Sequence, residues 1–522
     1  MDSPTKIVFI WHMHQPYYKL PSQEYYYLGW TRLHAAKDYY GMAKIVEKFD
    51  KLKVTFNFSG VLIKQLYDYI YNNATDLYAL LTSKNPRFLT KKEKEFIIDR
   101  FFSVNFERFI RPHRRYFQLY QKKVKKEKFS SQDILDLQVL FNLCWFHPYT
   151  FKEDKNLQEI VKKEKGYSFS DKKYIFQKQR EIMQKIFPLY KKLLEDERIE
   201  ISVSAFYHPI LPLIYDTDIL KEFPYLKRPR LRFSSPQDVS WHLKKAKEIF
   251  EKVFEKNPYG SWPPEGSISK DIVSFFIKEG FSWIGLDEGI LFKSLMTDYI
   301  SYDLIKNQRH LIYQPYEYEG LNILFRDRNL SDAISFVYQA WQEPLFAAQD
   351  LIEHFRRIHY YLKDTFKEKI ITIIMDGENA WEYYKNNGVD FLEKVYTHLE
   401  KEEIFSTELP HQIFKNLKPK KLPKLASGSW INNDFGVWIG SEKNNICWEI
   451  LKKVKDLIEK RKKKIENIEK VKEYFYILEG SDWNWWNTFD EPTGSFRKIY
   501  LSYAKKIFQI LKEKLPKSLK KL

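Results

Sequence analysis

Through the first three quarters of the 522-residue chain, short apolar runs alternate with longer stretches in which apolar residues recur every three or four positions. The short runs are Ile7 to Trp11, Val54 to Phe58, Ile199 to Val203, Trp283 to Gly285 and Ile370 to Met375. Their length and continuity suit strands covered on both faces. The longer stretches, such as Leu243 to Phe254 and Ala348 to Leu362, carry the period of amphipathic helices. Strand and helix in alternation predict a parallel sheet with crossover helices, closed into a barrel or open and doubly wound. From Lys91 to about Glu195 the pattern is helical, rich in lysine and aromatics, and contains no convincing strand, so it reads as an insertion. After about residue 390 helical periodicity dominates, from Ile446 to Glu473 and from Phe496 to Leu515. The expected division is therefore an α/β unit over 1–390, interrupted at about 91–195, and a helical domain over 391–522. Lys418 to Pro423 serves as a polar, proline-bearing connector between them.

Composition narrows the classes. With 44% apolar and 17% aromatic residues the chain is not disordered, and no run approaches the roughly 18 consecutive apolar residues of a membrane helix. Cys144 and Cys447 are too few for a disulfide framework or a cysteine zinc cage and read as reduced thiols in apolar packing. The opening run Ile7 to Trp11 lacks the length and cleavage site of a secretion signal, so a cytoplasmic location is the default expectation. The net charge is 87 − 69 = +18. Lysines interleave with glutamates as on solvated helices, and the denser basic stretches (Lys122 to Lys128, Lys415 to Lys424, the last ten residues) match no nucleic-acid module. Neither nucleic acid nor membrane is an expected partner. The surplus of lysine, glutamate and isoleucine fits a heat-adapted protein.

In parallel α/β architectures the chemistry gathers at the C-terminal ends of strands. Directly after the first strand comes Trp11-His12-Met13-His14-Gln15-Pro16, in which His12 and His14 share one face of an extended segment. They can bind a polar ligand or a metal, or be satisfied by backbone groups; Gln15 and Pro16 favour the first. In Gly260-Ser261-Trp262-Pro263-Pro264-Glu265-Gly266, two prolines stiffen a loop that presents one carboxylate near an indole, which suits a sugar site; capping of the next helix is an equal alternative. The strand Ile370 to Met375 delivers Asp376, Glu378 and Asn379, and two carboxylates after a buried strand are costly unless used. Phe206-Tyr207-His208-Pro209, Ser427 to Trp438 and Gly480-Ser481-Asp482-Trp483-Asn484-Trp485-Trp486 are less specific. Aromatic stripes are usually core, although tryptophans interleaved with asparagine and aspartate suit carbohydrate.

Taken in order, these segments resemble the signatures of glycoside hydrolase family 57, the α-amylase and glucanotransferase family. His12 to Pro16 is similar to the first signature, Tyr207-His208-Pro209 to the second, Trp262 to Glu265 to the third, Asp376-Gly377-Glu378 to the fourth and Ser429 to Gly440 to the fifth. Trp30-Thr31-Arg32-Leu33-His34 and Phe325-Arg326-Asp327 resemble the amylase-type branch. The resemblance spans residues 7 to about 487, and it departs most at His208, where the commoner form has a glutamate.

The resemblance implies an incomplete seven-stranded parallel (β/α)7 TIM-like barrel with helical insertions and a C-terminal α-helical domain. It implies a retaining enzyme acting on α-1,4-glucan, with Glu265 as nucleophile and Asp376 as general acid/base. Glu378 would help to keep Asp376 protonated. His12, His14, Asp434 and, in the second region, His208 would meet sugar hydroxyls. Trp262, Trp430 and Trp483 would form apolar platforms, with Trp30 also at the substrate, and Trp430, Asp434 and Trp483 would come from the helical domain. No metal or cofactor is required. Two readings of other classes remain: a metal-dependent deacetylase or mannosidase using His12, His14 and Asp376, and a glucan-binding protein without turnover. Glucanotransferase and branching activity share the same covalent intermediate and differ in the acceptor.

Overall fold

The computed structural model describes residues 3–461, 467–489 and 491–522. Among these residues the strands are β1 (Thr5–Met13), β2 (Val54–Ser59), β3 (Ile199–Ser204), β4 (Gly260–Ser261), β5 (Trp283–Asp287), β6 (Tyr316–Tyr318), β7 (Leu321–Arg326), β8 (Ile370–Asp376), β9 (Phe405–Thr407) and β10 (Lys420–Lys421). The five apolar runs of the sequence are β1, β2, β3, β5 and β8. Parallel ladders join β3-β2-β1-β8 in one sheet and β4, β5 and β7 in a second.

Two seams close these sheets into a seven-stranded (β/α)7 barrel, and side chains supply most of the closure. At the first, the Ser204 hydroxyl at the end of β3 donates to the Trp262 carbonyl just after β4 (2.6 Å). At the second, beyond β7, Asp327 N–H donates to the Thr372 carbonyl in β8 (2.8 Å), and Arg326 Nη1 reaches the Ile374 carbonyl (3.0 Å).

The period-two rule sorts the strand side chains. In β1, Ile7, Phe9, Trp11 and Met13 join the large outer core, while Val8 and Ile10 point into the barrel with Trp262, Trp283, Leu324, Ile370 and Ile374. His12 and then His14 continue that inward row, and Asp376 continues the row Ile370, Ile374 in β8. In register, His12 lies opposite Asp376 on one side and Asn57 on the other.

Every regular element between β2 and β3 is helical, ending in the 27-residue helix Phe169–Glu195, whose Ser168 and Asp171 form a capping box. The expected change of regime at residue 390 comes too early. Helix Val389–Lys401 leads into β9, which pairs with Thr5–Ile7 of β1. The connector Lys418–Pro423 contains β10, paired with β6. The barrel thus keeps using the chain to about residue 421. Beyond it come helices Glu442–Arg461, Ile468–Leu478, Asp482–Thr488 and Ser495–Ile510. No helix of the described residues is long and apolar enough to cross a membrane.

Candidate active site

Three imidazoles floor the cleft at the C-terminal rim of the barrel. The rings of His14 and His208 stack at 3.9 Å between centroids, and His12 lies 5.2 Å from His208 at a similar tilt. His12 Nδ1 is tied to Asn57 Oδ1 (2.7 Å), and burial together with His14 pushes its pKa down to about 3. His14 Nδ1 pairs with the Ser59 hydroxyl (2.7 Å) and its Nε2 with Asp482 (3.0 Å). His208 follows β3 in the left-handed region (φ 57°). Its Nδ1 pairs with the Ser481 hydroxyl (3.1 Å), its Nε2 is buried without a partner among the described residues, and burial, then His14 and His12, push its pKa well below the ordinary histidine value.

Glu265 stands beside this stack, its Oε1 3.8 Å from His208 Nδ1. It too is left-handed (φ 58°), a conformation worth about 1–3 kcal/mol of strain in a residue other than glycine. Pro263 and Pro264 before it and Gly266 after it hold the loop, and the Trp430 N–H donates to the Glu265 carbonyl (3.0 Å). Its carboxylate accepts the Trp430 indole N–H (2.9 Å) and the Ser481 hydroxyl (3.4 Å). Burial first, then the charges of Asp482 and Asp376, push its pKa up to about 8. Asp376 is also raised by burial, against the pull of Asn379, His14 and Arg326; the Asn379 amide is 3.5 Å away. The two carboxyl groups therefore compete for protons in one poorly hydrated place.

Trp430 is the half-buried indole at this site. The Arg326 guanidinium lies 5.1 Å from its ring and Trp262 meets it edge to face at 5.6 Å. Arg326 is fixed in turn by Asp287 (2.9 Å) and Asp332 (2.8 Å).

Other expected residues lie elsewhere. Trp262 is 1% exposed, packed in the barrel interior against Gly266, Gly285 and Trp430, so no face is free to stack on a sugar. Trp483 is 4% exposed, donates to the Ile477 carbonyl (2.6 Å) and packs on Phe496 and Tyr500 in the helical domain. Trp30 packs on Tyr78 and Trp145 beneath the insertion. Two of these expected platforms, Trp262 and Trp483, are thus corrected: their rings serve cores, for the ordinary reason that a large aromatic surface is worth burying, whereas Trp30 is half-buried. Glu378 is 1% exposed and faces inward; its Oε1 accepts from His14 N–H (3.1 Å), Gln15 (3.2 Å) and Tyr39 (3.3 Å). Burial and Asp376 hold its pKa well above the usual range, and its contacts brace the histidine strand. Asp434 accepts from Tyr225 (3.0 Å) and the Gly436 N–H (2.8 Å), one turn away from Trp430.

Ser481 and Asp482 are the residues that sequence reasoning passed over. Their segment stood out for its tryptophans, whereas the small polar pair ahead of them reaches the cleft. A buried brace fixes that pair: His242 Nε2 and Glu479 Oε2 meet at 2.8 Å, and Ser481 N–H donates to the His208 carbonyl (3.0 Å). Asn57 and Ser59, alternate residues at the end of β2, were equally hidden.

The chain is similar to several known proteins. A protein of Methanocaldococcus jannaschii, named provisionally as an α-amylase, is 24% identical over 364 residues, covering 64% of this chain and 68% of its own. Among solved structures, a branching enzyme of the hyperthermophilic archaeon Pyrococcus horikoshii aligns with a TM-score of 0.64 at 14% identity, over 97% of this chain and 90% of that one. An α-amylase of Thermotoga maritima aligns with a TM-score of 0.62 at 13% identity, over 98% and 93%. Both are likenesses of fold. The family model for glycosyl hydrolase family 57 matches residues 8–426, most of the chain and all the barrel strands up to β10, and the chain therefore belongs to that family.

Proposed function

We propose that the protein is a retaining α-glucan hydrolase of the α-amylase type, cleaving α-1,4 bonds by double displacement, with Glu265 as nucleophile and Asp376 as general acid/base. One observation carries the reading: carboxyl groups from two barrel strand ends flank one row of imidazoles, Asp376 in register opposite His12 and Glu265 3.8 Å from His208. When the pair loses one proton, the indole and hydroxyl donors on Glu265 favour the anion there, and Asp376, with one long amide contact, keeps its proton. Glu265 then attacks the anomeric carbon while Asp376 protonates the departing oxygen. Asp376, now ionised, takes a proton from water as that water opens the glycosyl-enzyme.

His12 offers the nitrogen not engaged with Asn57 to a sugar hydroxyl, His14 and His208 line the ring edge, and Trp430 gives the apolar face. Asp434 adds a carboxylate on the same segment as Trp430. Trp30, Trp262, Trp483 and Glu378 support the structure around the cleft. The substrate is an α-glucan such as starch, glycogen or maltodextrin, in keeping with the family.

Incubation with maltoheptaose and with amylose, followed by separation of products by length and linkage, tests the proposal. Only shorter α-1,4 products are expected. Longer chains would make it a glucanotransferase, and new α-1,6 linkages a branching enzyme.

A further inference from the structure

A second cavity, of about 750 Å³, opens between the helical insertion, Lys37 and the segment Tyr384 to Asn387, away from the residues of the catalytic cleft described above. Leu140, Leu143, Phe109, Phe146, Phe151 and Val161 make its wall apolar. Its charged lining is one-sided: Lys37, Arg108, Lys152, Lys162 and Lys385 against Glu107. Glu107 is held by Arg111 (2.9 Å) and Lys162 by Glu159 (2.7 Å), which leaves the other cations to set the field.

Lys37 is the unusual member. It is 1% exposed, yet its nearest carboxylate oxygen, Asp38 Oδ2, is 3.8 Å away, beyond hydrogen-bond reach. The oxygens of Asp38 are engaged by His34 (2.7 Å) and by the Asn387 amide (3.2 Å). The ammonium is otherwise bordered by the rings of Trp145 (4.7 Å) and Phe109 (5.4 Å). Beside it, Asn387 Oδ1 is buried without a partner among the described residues. The loop that carries it is held in three successive left-handed residues, Asn386, Asn387 and Gly388 (φ 51°, 52° and 73°). A buried ammonium short of an acceptor and an orphaned amide oxygen are both costly in an empty apolar chamber. Both groups line a ligand-sized cavity, which gives that cost a purpose.

We infer that this cavity is a binding site for an amphipathic carboxylate, an aliphatic or aromatic acid distinct from the glucan substrate. The carboxylate accepts from Lys37, a hydroxyl or water carried with it donates to Asn387 Oδ1, and the apolar body lies along Leu140, Leu143 and Val161. Arg108, Lys152 and Lys385 attract the anion toward the mouth.

Calorimetric titration of the full chain with octanoate, octan-1-ol and glucose 1-phosphate tests this. Octanoate is expected to bind at least about tenfold more tightly than the alcohol, because only the acid pairs with the buried ammonium, and glucose 1-phosphate is expected not to displace it. Lys37→Met should weaken octanoate by about tenfold or more, and Leu140→Trp, which fills the chamber, should remove binding. Lys385→Glu, on the exposed rim where folding is not at stake, should weaken it several-fold. Absence of octanoate binding, equal affinity for acid and alcohol, displacement by the sugar phosphate, or indifference to Lys385→Glu would each overturn the inference.

Discussion

Asp482→Asn isolates one charge while keeping the shape of the side chain and an acceptor for His14 Nε2. In the wild type, Asp482 raises the pKa of Glu265, second only to burial, to about 8. The two groups lie on either side of the His14–His208 stack, whose rings are 3.9 Å apart, with contacts of 3.0 Å from Asp482 to His14 and 3.8 Å from His208 to Glu265. A charge separation of roughly 6 Å then gives about 0.7 kcal/mol at the dielectric of water and about 2.8 kcal/mol at an effective value of about 20. At about 1.36 kcal/mol per unit this spans about 0.5 to 2 pH units. Side-chain exposures of 13% and 14% place the site between those limits, at about one unit. The sign is fixed: removing an anion makes it easier for Glu265 to ionise, so the limb of kcat/KM belonging to Glu265 moves to lower pH. The assay is reducing-end release from maltoheptaose across a pH series spanning that limb, for wild type, Asp482→Asn and Asp434→Asn. Asp434 serves as the control because its carboxylate is held by Tyr225 and its charge is not among the main causes of the raised pKa of Glu265. A limb that stays in place or moves upward in Asp482→Asn would show that Asp482 does not set the protonation of Glu265.

Glu265→Gln should lower kcat by on the order of 10³-fold or more while glucan binding, followed by tryptophan fluorescence, persists; retained turnover would remove Glu265 from the chemistry. The same variant should be more heat-stable than wild type at high pH but not below about 4.5, the ordinary value for this carboxyl. A raised native pKa means the folded state holds the proton longer, so wild-type stability declines as pH climbs from the ordinary value toward about 8; equal melting differences at both extremes would contradict this. Glu479→Ala should destabilise by about 1–3 kcal/mol in chemical denaturation, by stranding buried His242, and should lower kcat through Ser481 and Asp482, whereas Glu479→Gln should stay within about 1 kcal/mol. Exhaustive chelation should leave turnover intact, because both ring nitrogens of His14 are committed, to Ser59 and Asp482, and no group of three or more His, Cys, Asp or Glu among the described residues is placed to hold a metal; lost activity restored by zinc would return the metal-dependent reading.

The chain announced its barrel through strands that are apolar on both faces, which is why β1, β2, β3, β5 and β8 were legible. β4 has two residues, too few for any period, and β7 places Asn322 inside a six-residue run; closure there depends on Ser204, Asp327 and Arg326, whose partners are distant. At the site, His12, His14, Glu265 and Asp376 were visible because each ends a strand or sits in a stiffened loop. Tryptophan was the misleading signal. An indole beside asparagine and aspartate reads the same whether it faces a ligand or a core, and only tertiary packing separates Trp430 from Trp262 and Trp483. Ser481 and Asp482 had no local mark at all, since their role comes from a long-range fold-back braced by His242 and Glu479.

The His14–Asp482 contact joins residues separated by 468 positions. At roughly 5–20 residues per second on the ribosome, the last wall of the cleft emerges about 20 to 90 seconds after the first. A nascent barrel therefore carries Glu265 before its Ser481 donor and the Asp482 charge exist. The cleft is therefore complete only when the closing helices have been made.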